Sequence, residues 1–171
     1  MSGRILIQVF SFFAYLLVQA LLFKNLVLFD RAFCFAYIGF LLLLPIESSV
    51  IILLVLGFVM GLGADVFYDS LGIHAASCVF IMFVRNYWLN LLTPQGGYDP
   101  GVIPSIALDG WQWFSSYALP LIFLHHLVLF FTEAAGFGLF SFTFVKVLAS
   151  TLFTFMVLLP IQYFFYNKRR L

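Results

Sequence analysis

The sequence predicts an all-α integral membrane protein, a single domain built as a bundle of six transmembrane helices. Of its 171 residues, 64% are hydrophobic and only 9% are charged, whereas soluble domains carry about 25% charged residues. The mean hydropathy is +1.13, and the apolar residues fall in long runs separated by short polar breaks. The formal net charge of +1 provides no basic surface for nucleic acid.

A helix needs about 20 residues to cross the roughly 30 Å hydrocarbon core of a membrane. Six apolar runs meet or approach this length, at residues 5–23, 32–45, 50–68, 74–92, 114–132 and 139–166. The second run is short, and its helix could instead begin near Leu26. Pro45 stops that helix and Ser48 or Ser49 can cap the next one, which predicts a tight hairpin between the second and third spans.

Lysine and arginine near the span ends predict how the bundle is oriented. Lys24 and Arg31 lie on one side, and a larger basic group lies on the side shared by both termini: Arg4, Lys168, Arg169 and Arg170. Because cytoplasmic segments are rich in basic residues, both termini are expected in the cytoplasm. The long connection 93–110 then lies in the cytoplasm as well, and its three prolines and four glycines predict a loop.

Small residues line one face of the third span. Gly57 and Gly61 form a GxxxG pattern, and Gly63 extends it. Missing side chains at this spacing let another helix backbone approach closely. We expect a helix-packing face here, although the spacing does not name the helix that packs on it.

Asp65 and Asp69 follow in the stretch "GLGADVFYDSLGIHA" and are one helical turn apart. A carboxylate at the membrane boundary can be hydrated, whereas one inside the bilayer is costly. We therefore favour a hydrated position at the outer interface over a catalytic or ligand-binding pair.

Further polar residues lie within the fourth, fifth and sixth spans. His125 and His126 are expected to hydrogen-bond between helices, with a metal site or a proton relay through Glu133 as the alternative. Glu133 and Lys146 flank a short turn and predict an ion pair. Arg85 could reach the interface, pair with an acidic residue or face a partner.

The sequence contains no signature of a catalytic or cofactor-binding site. We find no phosphate-binding loop, nucleophile elbow or HExxH motif. Cys34 and Cys78 lie in separate apolar runs and are expected to be packed thiols. We therefore expect a protein that is not an enzyme and that holds no metal or cofactor.

Two stretches carry a resemblance to a known family. "GFVMGLGAD", residues 57–65, followed by "DSLGIHA", residues 69–75, which includes Gly72 and His74, resembles the central signature of the MreD family of bacterial rod shape-determining membrane proteins. "VRNYWLNLLTPQGGYDP", "WQWFSSYALPLIFLHHLVLFFTE" and the basic C-terminus extend the likeness over nearly the whole chain. The short second span and the proline-broken loop depart from the family pattern.

The resemblance implies a non-enzymatic role in the bacterial cytoplasmic membrane. MreD-like proteins work with MreC and the elongasome, which includes MreB, RodA and a penicillin-binding transpeptidase, in lateral peptidoglycan synthesis and cell shape. The implied fold is similar to the substrate-binding S components of energy-coupling-factor transporters. On this basis we expect two groups of residues to pack helices or to bind an MreC-like partner. The first is the glycine face, and the second consists of Asp65, Asp69, Gly72 and His74 at the outer end together with Arg85.

Two other functions remain open from the sequence. The likeness to S components suggests a transporter subunit that binds a vitamin-like small molecule, with an outward pocket formed by Asp65, His74, His125, His126 and Glu133. A hydrolase acting at the outer leaflet is the third alternative. Because the rotation of each span about its axis is unknown, the sequence cannot show whether these side chains meet.

Overall fold

The computed structural model describes residues 2–166, which are mostly helical. In chain order the helices are α1 (Ser2–Val18), α2 (Ile38–Leu42), α3 (Val50–Tyr68), α4 (Ile73–Leu91), α5 (Ile106–Glu133) and α6 (Phe140–Tyr166). A π-helical turn, Gln19–Phe23, extends α1, and the short strands β1 (Val27–Leu28) and β2 (Ala32–Phe33) pair antiparallel. Lys168, Arg169 and Arg170, which contribute to the predicted orientation, lie outside the described residues.

Four helices are long and apolar enough to cross a membrane: residues 5–23, α3, α5 and residues 140–163. They correspond to the first, third, fifth and sixth predicted spans, which supports a membrane protein. Helix α4 matches the fourth predicted span. It has 19 residues and is therefore as long as α3. Its histidine, arginine and asparagines make it less apolar than the other four.

The second predicted span, residues 32–45, is not a transmembrane helix. It consists of β2, an irregular stretch and α2, which has only five residues. We call residues 32–44 the central segment, because it lies inside the bundle, where Tyr37, Ile38 and Leu41 are fully buried. A segment buried on every side is apolar throughout, so hydrophobic periodicity cannot tell a helix from an irregular chain. The prediction of six helical spans is therefore wrong at this segment.

Irregular backbone is stable at membrane depth only where protein groups replace the missing helical hydrogen bonds. Polar side chains from the extension of α1 and from α4, α5 and α6 do this for the central segment. The bonds join Gln19 Nε2 to Cys34 O (2.9 Å), Ser150 Oγ to Phe33 N (2.9 Å), Thr154 Oγ1 to Phe35 N (3.1 Å), Tyr117 Oη to Leu42 O (2.8 Å) and Arg85 Nη2 to Leu44 O. We call these five side chains the polar collar.

The predicted glycine face packs helices within the chain. A Cβ at Gly61 would overlap the backbone of Ala75, and one at Gly57 would also crowd α4. Gly63 faces α1 instead, where a Cβ would lie 2.9 Å from Leu16 Cδ2. Because α4 already occupies the face of Gly57 and Gly61, a partner helix needs a different surface.

The connections divide between the two ends of the bundle. The β1–β2 hairpin, the α3–α4 turn and the α5–α6 turn share one end, which we call the hairpin end. The long loop lies at the other end, where Gly101 N donates to Glu47 Oε2 at 3.3 Å and thereby fastens the loop to the α2–α3 turn. The predicted loop 93–110 ends early, because Ser105 caps α5 and Gly110, with φ 80°, becomes a kink inside that helix.

We expect Gly61→Ala to destabilise the protein by about 1–3 kcal/mol, because the added methyl group meets backbone atoms of α4 that cannot rotate away. The unfolding temperature of the purified protein in detergent measures the effect. Gly138→Ala is the matched control, since a Cβ there has no atom within 4 Å. Equal unfolding temperatures for the two variants would contradict the packing described for α3 and α4.

Candidate functional site

A buried carboxylate joins the end of α3 to the start of α4. Asp65 is only 4% exposed. Its Oδ1 accepts hydrogen bonds from Ser70 Oγ at 2.6 Å and His74 N at 3.0 Å, and its Oδ2 accepts one from Ala75 N at 3.0 Å. The two backbone amides belong to the first turn of α4, where no helical carbonyl is available to them. Asp65 therefore caps α4 from the preceding helix.

The turn between the two helices explains this distant cap. Gly72 occupies the N-cap position of α4 with φ 85° and has no side chain to offer. Asp69 ends α3 in the left-handed region with φ 53° and is exposed. Asp69 is thus exposed, as a hydrated position requires, whereas the prediction is wrong for Asp65, because backbone amides take the place of water around its carboxylate.

His74 is held by the same carboxylate. Its Nδ1 lies 3.0 Å from Asp65 Oδ1 and 2.8 Å from Ser70 Oγ, and its Nε2 has no hydrogen-bond partner among residues 2–166. Because a carboxylate only accepts, we assign the proton of the ring to Nδ1. In a Ser-His-Asp triad the serine contacts the ring nitrogen opposite the aspartate. Ser70 and Asp65 share Nδ1 instead, so this geometry does not favour a nucleophilic hydrolase.

The two adjacent histidines of α5 bond to different elements: His126 makes the predicted interhelical hydrogen bond, whereas His125 bonds to the central segment. His125 Nε2 lies 3.0 Å from Tyr37 Oη, and His126 Nε2 lies 3.2 Å from Thr154 Oγ1 on α6. The alternative relay through Glu133 is not formed, because His126 is engaged with α6 and the backbone of its own helix. Within the described part of the chain, no three His, Cys, Asp or Glu side chains are arranged to hold a metal ion.

Phe35 of the central segment brings all three histidines into one cluster. Its ring centroid lies 5.5 Å from that of His74, 6.2 Å from that of His125 and 5.3 Å from that of His126. These separations are typical of aromatic packing. The histidines come from two helices, and Tyr37 of the same segment adds to this cluster, with its ring centroid 6.1 Å from that of His74 and 5.7 Å from that of His125.

Glu133 and Lys146 form the predicted ion pair at the hairpin end. Lys146 Nζ lies 2.8 Å from Glu133 Oε2. The same ammonium group lies 4.6 Å from the ring centroid of Phe33 and 4.2 Å from that of Phe130, within the range of a cation–π contact. The Lys146 side chain is 18% exposed and that of Glu133 is 53% exposed. Two aromatic rings and one carboxylate thus enclose the lysine head.

A cavity of about 100 Å³ opens beside this ion pair. We call it the hairpin-end cavity. Its polar lining consists of Tyr68, Ser70, His74, Glu133 and Lys146, and its apolar lining consists of Phe33, Phe35, Ile73, Leu129 and Phe130. Of the five residues predicted to form an outward pocket, His74 and Glu133 line this cavity. Asp65 acts indirectly by holding His74, and neither His125 nor His126 contributes to the lining.

Arg85 lies inside the bundle and does not face a partner or the interface. It is fully buried, its Nε donates to Tyr117 Oη at 2.7 Å, and its Nη2 donates to Leu44 O. No carboxylate pairs with it among the residues that the structure describes. The three predicted roles for Arg85 are therefore replaced by a structural role at the end of the central segment.

An apolar groove runs along the outer side of α3 and α4. Its volume is about 660 Å³, and its lining is Leu54, Phe58, Leu62, Gly72, Ala75, Ala76, Val79, Phe80 and Phe83. Phe58 and Phe83 are 52% and 50% exposed, whereas the exposed Ala76 is small. Small residues beside large ones create a depression into which the side chains of another helix can pack. We call this surface the α3–α4 groove.

Sequence reasoning missed the polar collar and Phe35. The positions of Gln19, Ser150 and Thr154 could have indicated contact with a buried segment, because polar residues within apolar helices usually face another protein segment. Phe35 gave no signal, since one phenylalanine among 24 does not stand out.

We expect Asp65→Asn to lower stability by about 1–3 kcal/mol, because the amide has one oxygen in place of two and cannot accept all four hydrogen bonds. Asp69→Asn should change stability by less than about 0.5 kcal/mol, since this residue is exposed and asparagine tolerates the left-handed conformation. Thermal unfolding in detergent compares the two. A loss as large for Asp69→Asn as for Asp65→Asn would contradict the capping role.

Comparisons of the chain with protein-family models, curated proteins and solved structures give no match. The geometry of the site and the resemblance of its motifs are therefore the basis for a functional proposal.

Proposed function

We propose that this chain is a non-enzymatic scaffold of the bacterial cell-elongation machinery, as its resemblance to the MreD family implies. Its direct partner is an MreC-like membrane protein, and MreB, RodA and a penicillin-binding transpeptidase act with them directly or indirectly. The complex supports lateral peptidoglycan synthesis and cell shape. The observation that carries this proposal is the α3–α4 groove, an open apolar depression between the exposed sides of two helices, into which side chains of a partner helix can pack.

Helix association in a bilayer depends on close packing, because lipid is as apolar as the helix surfaces. The glycine face would have been the natural surface, but α4 of the same chain fills it. The α3–α4 groove lies on the outer side of the same two helices, and Ala76 lies exposed in it. We place the partner's transmembrane helix there, with its larger side chains against Ala76.

The orientation proposed for this complex follows from the basic residues near the termini. Both termini and the long loop lie in the cytoplasm, and the hairpin end faces outward, in the bacterial cytoplasmic membrane. On this arrangement the exposed Asp69 and the hairpin residues around Arg31 can meet the extracytoplasmic part of an MreC-like partner.

A vitamin-binding transporter subunit is the alternative function. Ligand pockets for such molecules usually measure about 300–1,000 Å³. The hairpin-end cavity measures about 100 Å³, which is too small for a vitamin-sized ligand. The cavity size therefore favours the scaffold over transport of such a ligand.

We expect Ala76→Phe to reduce copurification with a coexpressed MreC-like protein from the same organism at least about tenfold, because the ring fills the groove and removes close packing worth more than about 1.4 kcal/mol. Quantitative mass spectrometry of the purified complex in detergent provides the measurement.

Val145→Phe is the matched control, since it adds a similar ring to an exposed position of α6 away from the groove. It should leave copurification unchanged. Retention of the partner by Ala76→Phe at the level of the control would refute the groove as its binding surface, and no copurification with the unmodified chain would refute the scaffold.

A further inference from the structure

The hairpin-end cavity is lined by one buried polar atom, His74 Nε2, that neither the fold nor the proposed scaffold uses. His74 Nε2 is buried and lacks a hydrogen-bond partner among the described residues, and the His74 side chain is 6% exposed. Because Nδ1 carries the ring proton, Nε2 of the neutral ring is an acceptor. A buried acceptor without a donor is unfavourable, so a donor supplied from outside the chain would be stabilised there.

The ionic lining of the cavity consists of one cation and one anion. Lys146 Nζ and Glu133 Oε2 are 2.8 Å apart, and both residues line the cavity. The rings of Phe33 and Phe130 enclose the lysine ammonium at 4.6 Å and 4.2 Å, which demonstrates that these walls accommodate an alkylammonium group. A ligand with a single charge would leave one member of the ion pair without a partner.

We propose that the hairpin-end cavity binds a small zwitterion that carries a primary ammonium group and an anionic group. The ammonium donates to Glu133 and to His74 Nε2 against the aromatic walls, and the anion accepts from Lys146, whose flexible side chain turns toward it. The original ion pair is exchanged for two ion pairs with the ligand, so each charge keeps a partner. The volume of about 100 Å³ restricts the ligand to the size of a small amino acid or an ethanolamine phosphate group.

Two sources can provide this chemistry: a free small zwitterion or the headgroup of a lipid. Binding is measured first by equilibrium dialysis with glycine, β-alanine and phosphoethanolamine, using the full chain in a maltoside detergent. Methylammonium and acetate serve as ligands with one charge. Unfolding temperatures in nanodiscs of phosphatidylethanolamine and of phosphatidylglycerol then test the lipid source.

We expect saturable binding of at least one zwitterion, weakened about tenfold or more by Glu133→Gln and by Lys146→Met, because each substitution removes a charged hydrogen bond to the ligand. Asp69 is an exposed carboxylate at the same end of the bundle and does not line the cavity. The Asp69→Asn variant should therefore bind the zwitterions as tightly as the unmodified chain. If no free zwitterion binds, a higher unfolding temperature in phosphatidylethanolamine that disappears in the same two variants supports the lipid headgroup as the ligand.

Three results would overturn the proposal: no effect of any zwitterion or lipid, equal effects in the unmodified chain and both variants, or binding of methylammonium or acetate as tight as that of the zwitterions. Glu133 and Lys146 are partly exposed, and circular dichroism verifies that the variants are folded. Copurification with the MreC-like protein is measured separately, so loss of ligand binding and loss of the scaffold role are distinguished.

Discussion

The bundle depends on satisfying the backbone of a non-helical segment inside an apolar interior. Residues 32–44 lack the continuous hydrogen bonds of a helix, and lipid offers no donors or acceptors to replace them. The five side chains of the polar collar reach this segment from the extension of α1 and from three further helices. Each bond fixes the rotation of its helix about the segment. The same polar residues that reduce the hydropathy of the chain therefore determine how its apolar helices are arranged.

At the hairpin end, the Asp65 carboxylate likewise satisfies buried backbone groups. It supplies acceptors to the free amides of α4 and also fixes the ring of His74, so one side chain connects fold and candidate site. Phe35 adds the second connection, because it packs on His74 from within the central segment. Glu133 and Lys146 close the far wall from α5 and α6. The cavity is thus lined by residues of the central segment, α3, α4, α5, α6 and the α3–α4 turn, and α1 contributes none of its lining residues.

Sequence patterns predicted the helices that have distinct ends and failed where burial is uniform. Helix α3 was predicted at its observed bounds, because Ser49 caps its start and polar residues follow Tyr68. The central segment was misassigned, since a chain surrounded by protein has the same apolar composition in any conformation. The Glu133–Lys146 pair was predictable because a short turn joins its helices. The burial of Asp65 was not, because its amide partners lie nine and ten residues further along a chain that turns back.

Two side chains of the polar collar, Ser150 and Thr154, lie far along the chain from the central segment that they bond, so they are synthesised much later than that segment. Phe35 and Thr154 are 119 residues apart, so the ribosome needs on the order of ten seconds to make the second after the first. During that interval the central segment enters the membrane without Ser150 and Thr154, and its amides need water or a transient helix in their place. The native core can close only after α6 has been synthesised. Final packing of this protein therefore follows insertion of the earlier helices into the membrane.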